Sequence, residues 1–339
     1  MSQMVKTGEA CSSVIADSRL DFIGQVLCPM KANFKQGYDE VAEQYKKETG
    51  CAFYSYVPTI CGSKGDRTEA TAGDILKYLT IDDLPGMIAS FGLGDYFSSQ
   101  FRERFLKQGY FESIKRNGLS PAFEEAGIDD PSGEFYIYSG YPAVFLVDRK
   151  KLGDLPVPRK WEDLLSPVYR NNITIGGAHG MVSKTLLLYL YKMFGDEGLK
   201  MLEPNVRQAM HPSEMAKLAG TSAKAGTAIY VMMLFFGKAC GKTDRTELVW
   251  PEDGAIFDPA FILVKKGMTE KYQVLIDYIT GERYGKISAA NSFPVTTPLV
   301  KNPLPEGAKL QWLGWDFINS HRMEEVVDHV TEPFQKFLI

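Results

Sequence analysis

Side chains with chemistry to offer are few here, and most sit at junctions rich in glycine or proline. Four histidines, His179, His211, His321 and His329, never fall at the spacing by which a helix presents two imidazoles to a metal, and no His-Glu-x-x-His occurs. Five cysteines, Cys11, Cys28, Cys51, Cys61 and Cys240, include no Cys-x-x-Cys, so neither a zinc knuckle nor a redox dithiol is encoded locally. The count leaves room for one disulfide. No Gly-x-Ser-x-Gly elbow is present. Gly237 to Thr243 resembles a phosphate loop but has three residues between its glycines where four are needed, and it leads into a strand-like run. Gly92-Leu93-Gly94 lacks the third glycine of a dinucleotide fingerprint.

Four junctions carry the candidate contacts. Gly176-Gly177-Ala178-His179-Gly180 stands between a short apolar strand and a helix beginning near Ser183. Such a junction turns unpaired backbone N–H groups toward a ligand at the positive end of a helix, which suits negative oxygens. Gly177, His179 and Ser183 are its contacts; the other reading is a tight turn with an exposed histidine. Cys28-Pro29-Met30-Lys31 and Cys61-Gly62-Ser63-Lys64-Gly65 follow the first two strands and offer backbone plus one cation each, or are plain surface loops. A catalytic Cys28 thiolate would need a histidine partner that the local sequence does not supply. Trp250-Pro251-Glu252-Asp253-Gly254 places two carboxylates at a turn, either facing a cation or amine or solvated. His211 precedes Pro212 at a helix start, and His321 and His329 belong to a solvated face.

The elements that must position these groups alternate. Strands are predicted at Asp21 to Leu27, Cys51 to Val57, Met87 to Phe91, Phe135 to Val147, Ile173 to Ile175, Thr227 to Met233, Glu247 to Trp250 and Ala260 to Val264. Helical spacing of apolar residues marks Phe34 to Glu48, Ser183 to Leu202, Tyr272 to Ala290 and Met323 to Phe337, with Phe101 to Leu106 in a charged helix. This alternation predicts α/β architecture with mostly parallel sheets flanked by helices. The long run 135–147 and the pair of runs within 247–264 read as stiff crossings between two lobes. In such sheets ligands sit beyond the carboxyl ends of strands.

Composition narrows the function. A chain of 339 residues is long enough for about two domains. With 45% hydrophobic and 24% charged residues it is an ordinary globular chain. A net charge of −4 without any dense basic run argues against nucleic acid or anionic lipid as partner. No apolar stretch approaches the ~18 residues of a membrane span. Residues 1–20 read as a polar arm without the pattern of a signal peptide, which points to the cytoplasm if Met1 is the natural start.

In combination, several segments resemble one family. They are Val144 to Gly153 (VFLVDRKKLG), Leu155 to Leu165 (LPVPRKWEDLL), Ser166-Pro167 through Ile175, Trp250 to Gly254 with Phe261 to Lys265, Gly281 to Gly285, and Phe293-Pro294-Val295. Together, over roughly residues 21 to 300, they resemble the type 2 periplasmic binding proteins of ABC importers, in the branch that handles ferric iron, thiamine, polyamines and phosphonates. The resemblance implies a two-lobed α/β receptor joined by two strand-like crossovers, closing on a small polar or anionic ligand. It implies a monomer outside the cytoplasm, without cofactor or enzymatic activity, serving an ABC permease. The implied lobes are 21–138 with 258–339, and 139–257 with the hinge crossovers. The ligand-binding set is Cys28, Cys61, Gly62, Ser63, Ser139, Tyr141, Gly177, His179, Ser183, Tyr230, Glu252 and Asp253. Iron-binding members use adjacent tyrosines near the second-lobe strand; Ile229-Tyr230-Val231 offers one phenol, so no metal is expected. The alternatives are an enzyme on the same fold, with Cys28, Cys61 or His179 as its reactive group, and a cytoplasmic ligand sensor.

Overall fold

The computed structural model describes residues 20–59, 80–178 and 180–338. Its first lobe is built from short parallel strands. β1 (Phe22–Gly24) lies between β2 (Ser55–Tyr56) and β3 (Met87–Phe91), parallel to both. The Lys31–Thr49 helix makes the crossover that a parallel pair requires. It stops at Gly50, whose φ of 77° closes a bond from its N–H to Lys46 O. The second lobe repeats the theme, with β5 (Ile173–Ala178) parallel to β7 (Val206–Met210) and to β8 (Ile229–Met233). β6 (Met181–Val182) folds back on the end of β5.

Two long strands join the lobes. β4 (Tyr136–Asp148) and β10 (Ala255–Val264) are antiparallel to each other, as the two predicted crossings require. β10 continues against β3 in the first lobe, while β4 continues between β8 and β9 (Thr246–Val249) in the second. β11 (Leu310–Gln311) flanks the start of β10. A register shift leaves Tyr138 as the extra residue on β4, a bulge that bends the strand where it passes between lobes. Asp258 stands opposite Tyr141, and Pro259 opposite Gly140. Gly140 is required there, because a Cβ would run into the Asp258 carbonyl oxygen and the Phe257 ring.

Packing follows the two faces of this sheet. On one face of the first lobe Phe22 stacks on Tyr38, and Phe34 packs tilted against Tyr278 and edge-on to Tyr284. On the other, Phe97, Phe135, Phe261 and Trp315 form an aromatic cluster continuous with Phe145 and Trp161 of the second lobe. Burying each such ring contributes about 1.5–3 kcal/mol. The C-terminal segment crosses from one lobe to the other. Trp315 packs on Phe97, whereas the Met323–Thr331 helix lies on the Lys184–Leu202 helix and Leu338 bridges to Ala209.

Several elements differ from the sequence expectation: the strand expected at 21–27 is Phe22–Gly24 only, and the helix expected at 323–337 ends at Thr331 and continues as 3-10 turns. The strand predicted at 51–57 is paired only at Ser55–Tyr56. The helix predicted from 272 to 290 is two helices, Thr269–Thr280 and Glu282–Ala290, separated at Gly281, whose backbone is extended. The Lys184–Leu202 helix is interrupted at Gly195, where φ is 61°. Apolar periodicity is insensitive to a single glycine that leaves the same face buried on either side.

Candidate functional site

The carboxyl ends of β3, β5, β7 and β8 converge at the crossing of β4 and β10. Two adjoining cavities open there, about 290 and 420 Å³ in volume, sharing Tyr141, Met181, Val182, Ser183 and Thr185. The first is bounded by Cys28, the end of β5 at Gly176 to Ala178, His211 and the end of β8 at Val231 to Met233. The second is bounded by Phe91 at the end of β3, by Gly92 and Gly94 after it, by Lys184 and Asp258, and by Val327, Asp328 and Thr331 of the Met323–Thr331 helix. The cleft thus draws on both lobes, as expected for ligands at strand ends. A groove of about 680 Å³ between the Lys31–Thr49 helix and β2 shares no residue with it.

The helix beginning at Lys184 presents its N-terminus to this cleft. Its N-cap, Ser183, is extended and makes no side-chain bond to the helix; its own N–H donates to Gly176 O at 2.8 Å. No acidic residue occupies the first turn. The first backbone N–H groups therefore keep the partial positive charge that such an end carries. Gly176 is held close: a Cβ there would stand 3.1 Å from Ser183 Cβ.

Beneath the helix end lies a buried polar cluster centred on Asp258, which is 5% exposed. Its Oδ2 accepts the Tyr141 hydroxyl at 2.7 Å and the Thr185 hydroxyl at 2.7 Å. Its Oδ1 is buried without a hydrogen-bond partner. Burial raises the Asp258 carboxyl above its ordinary range, opposed by those two hydroxyls and by the charge of Lys184. Tyr141 is pushed well above the usual phenol range by burial and by the neighbouring carboxylate.

The expected ligand set divides by position. Cys28, Tyr141, Gly177 and Ser183 line the cleft together. Cys61, Gly62, Ser63 and His179 lie outside the described residues. Ser139 is buried at the hinge, where its hydroxyl donates to Pro294 O at 3.0 Å and meets Ser288 Oγ, tying the 293–297 segment to β4. Tyr230 is directed into the second lobe. It is fully buried with Met210, Met215 and Leu146, accepts the Thr227 N–H at 3.0 Å, and its phenol is pushed up to about 12 by burial. Tyr230 lies one residue short of the cavity, which takes only Val231 to Met233 at the carboxyl end of the strand. The Glu252-Asp253 turn also serves the fold. Glu252 is exposed, and Asp253 Oδ2 accepts the Trp161 N–H at 3.1 Å while the Trp161 indole donates to Gly254 O at 2.7 Å. The two tryptophan-containing motifs of the sequence thus pack against each other away from the cleft.

Cys28 is disulfide-bonded, which removes it as a thiolate nucleophile. His211 caps the Pro212–Leu218 helix, its Nδ1 accepting the Ser213 N–H at 3.1 Å, and its ring also borders the cavity. Among the described residues no group of three His, Cys, Asp or Glu side chains is placed to hold a metal ion. Sequence reasoning missed Asp258 and Thr185. The available signal was Asp258-Pro259, an acid and a proline interrupting an otherwise apolar run from Ala255 to Val264.

A family model described as bacterial extracellular solute-binding protein matches residues 82–321, over half of the chain. The chain belongs to this family of extracellular solute-binding proteins. A search of curated sequences gave no match. Among solved structures, an ABC transporter protein from Clostridium perfringens superposes on this solute-binding protein with a TM-score of 0.63 at 16% identity, covering 94% of this chain and 99% of that one. The periplasmic binding protein AfuA from Actinobacillus pleuropneumoniae, with exogenous fructose-6-phosphate bound, gives 0.56 at 15%, covering 92% and 98%. A Trichodesmium protein (IdiA, FutA), in complex with iron and citrate, gives 0.57 at 12%, covering 91% and 96%. At these identities the likeness is one of fold, and the fold is the two-lobed one the sequence resemblance implied. No helix of the described residues is long and apolar enough to cross a membrane.

Proposed function

We propose that this solute-binding protein is the monomeric receptor of an ABC-type importer, and that it holds a small anionic solute between lobes 21–138 with 258–339 and 139–257. The observation that carries the anion is the helix end at Ser183 to Leu186: uncapped by its own serine, free of acids in its first turn, and opening with Lys184 and Thr185 into the interlobe cleft. Backbone N–H groups at such an end bind oxyanions without further charge. The solute is bound and released chemically unchanged; in support, the disulfide at Cys28 removes one of the three reactive groups that an enzyme on this fold would draw on. A disulfide also suits an oxidising, extracytoplasmic setting. Cys61, Gly62, Ser63 and His179 remain in the proposed ligand set through their neighbours in sequence.

The test is native mass spectrometry of the protein as purified, followed by calorimetric titration with phosphate, carboxylate and sulfonate compounds. Replacing Ser183 by Ala together with Thr185 by Val is expected to weaken anion binding about tenfold or more, the value of one or two hydrogen bonds to a charged group. Unchanged affinity in the double variant would remove the two hydroxyls from the site, and unchanged affinity in Lys184→Glu, which sets an acid in the first turn, would remove the helix end.

A further inference from the structure

The turn Gly92-Leu93-Gly94 matched no nucleotide fingerprint, yet it has a definite place. Gly92 has φ of 78°, and a Cβ on it would stand 3.7 and 3.8 Å from the two carboxylate oxygens of Asp258. A Cβ on Gly94 would stand 3.6 Å from Lys184 Nζ. First-lobe backbone, bare of side chains, therefore borders one buried carboxylate and one ammonium of opposite sign. Thr185 links the two, since its hydroxyl is bound to Asp258 while its backbone belongs to the first turn of the helix.

The carboxylate is half used. Tyr141 and Thr185 both donate to Oδ2; the Leu93 N–H faces the carboxylate, but Oδ1 makes no hydrogen bond within normal limits. Leaving a buried acceptor unpaired costs about 1–3 kcal/mol, and more when it is charged. For structure alone, an apolar residue on β10 would avoid that cost. The carboxylate lies instead on the strand that joins the lobes, against the wall of the 420 Å³ cavity.

Resting on the anion reading above, we infer that the solute is zwitterionic, with its oxyanion at the helix N-terminus beside Lys184 and a primary ammonium group donated to Asp258. An ammonium both supplies the missing donor and neutralises the buried charge, and charge-assisted bonds are roughly twice as strong as neutral ones. The adjacency of the two subsites through a single residue, Thr185, calls for a short spacer between the solute's charges.

Matched probes test this by calorimetry: O-phosphoethanolamine against ethyl phosphate, taurine against ethanesulfonate, and β-alanine against propionate. In the wild-type protein the amine-bearing member of at least one pair is expected to bind about tenfold more tightly or better, one decade being about 1.4 kcal/mol. Asp258→Asn keeps an acceptor for Tyr141 and Thr185 but removes the charge. It should erase most of that advantage, because the amine-bearing member loses its counter-charge while the amine-free anion is relieved of a nearby negative charge. Equal affinities within every binding pair of the wild-type protein would overturn the ammonium subsite and leave the anion site standing. Equal binding of 2-hydroxyethyl phosphate and O-phosphoethanolamine would also overturn it, in favour of a hydroxyl. Failure of every probe to bind would overturn the anion reading and the inference together. The wild-type comparisons decide even if the variant does not fold.

Discussion

Asp258 is the costliest side chain to hold in the cleft, and its titration gives the cost a sign. Burial raises its carboxyl, so the folded chain keeps this proton to higher pH than the unfolded chain does. The contribution to stability is fully present below the ordinary carboxylate value of about 3.9 and is lost as pH rises through the raised one. Asp258→Asn does not titrate. Its melting temperature relative to wild type is therefore expected to be higher at pH 7.5 than at pH 4, by about 1–2 °C for each kcal/mol lost by the wild type. A difference in melting temperature that stays constant across that range would mean that Asp258 is not held protonated by the fold. Tyr230 makes the opposite case. Tyr230→Phe should leave solute affinity unchanged and cost about 1 kcal/mol of stability, because the buried Thr227 N–H loses its acceptor. Titration calorimetry and a denaturant melt separate the two effects. Pattern alone does not say how far along β8 the cleft reaches, and it takes only Val231 to Met233, so only the fold could exclude the tyrosine.

At the scale of elements, the alternation of strands and helices was legible because each strand's apolar run is bounded by a turn residue. Met87 to Phe91 is a strand at the predicted limits, and the run 135–147 is β4 within a residue at each end. The acidic turn at 252–253 was misplaced for a different reason. A turn at the end of a crossing strand can face either side of the sheet, and Trp161, distant in sequence, decides the side by packing there. What the crossing itself demands is concentrated in Gly140. An added methyl would meet the Asp258 carbonyl, a backbone atom that cannot rotate away, so β4 and β10 would have to separate where they join the lobes. Gly140→Ala is expected to destabilise the protein by about 1–3 kcal/mol, the usual cost of overpacking. It should also weaken solute binding, since Tyr141 is the next residue and its partner Asp258 faces it across the ladder. A variant as stable as wild type would show that the crossing tolerates more separation than its packing implies.

The whole molecule joins its lobes through β4, β10 and the C-terminal segment, which packs Trp315 on the first lobe and Leu338 on the second. Three covalent crossings restrict sliding of one lobe past the other and favour rotation about an axis near the β4–β10 pair, where the bulge at Tyr138 already bends the sheet. The cleft residues lie on either side of that axis: Gly92 and Gly94 on the first lobe, Ser183 to Thr185 on the second. A solute that touches both sets gains contacts only when they approach, and that differential affinity is what shifts a population toward the closed form. Small-angle X-ray scattering of the protein alone and at saturation with a binding probe should therefore show a smaller radius of gyration in the bound state. Thermal stability should rise with probe concentration, by about 2.7 kcal/mol at one hundred times Kd. The Ser183→Ala, Thr185→Val double variant should scatter like the unliganded wild type and need more probe to reach the compact form. If the bound and free proteins scatter identically while stability rises, the solute sits against one lobe only. Gly92 and Gly94 would then have no part in holding it.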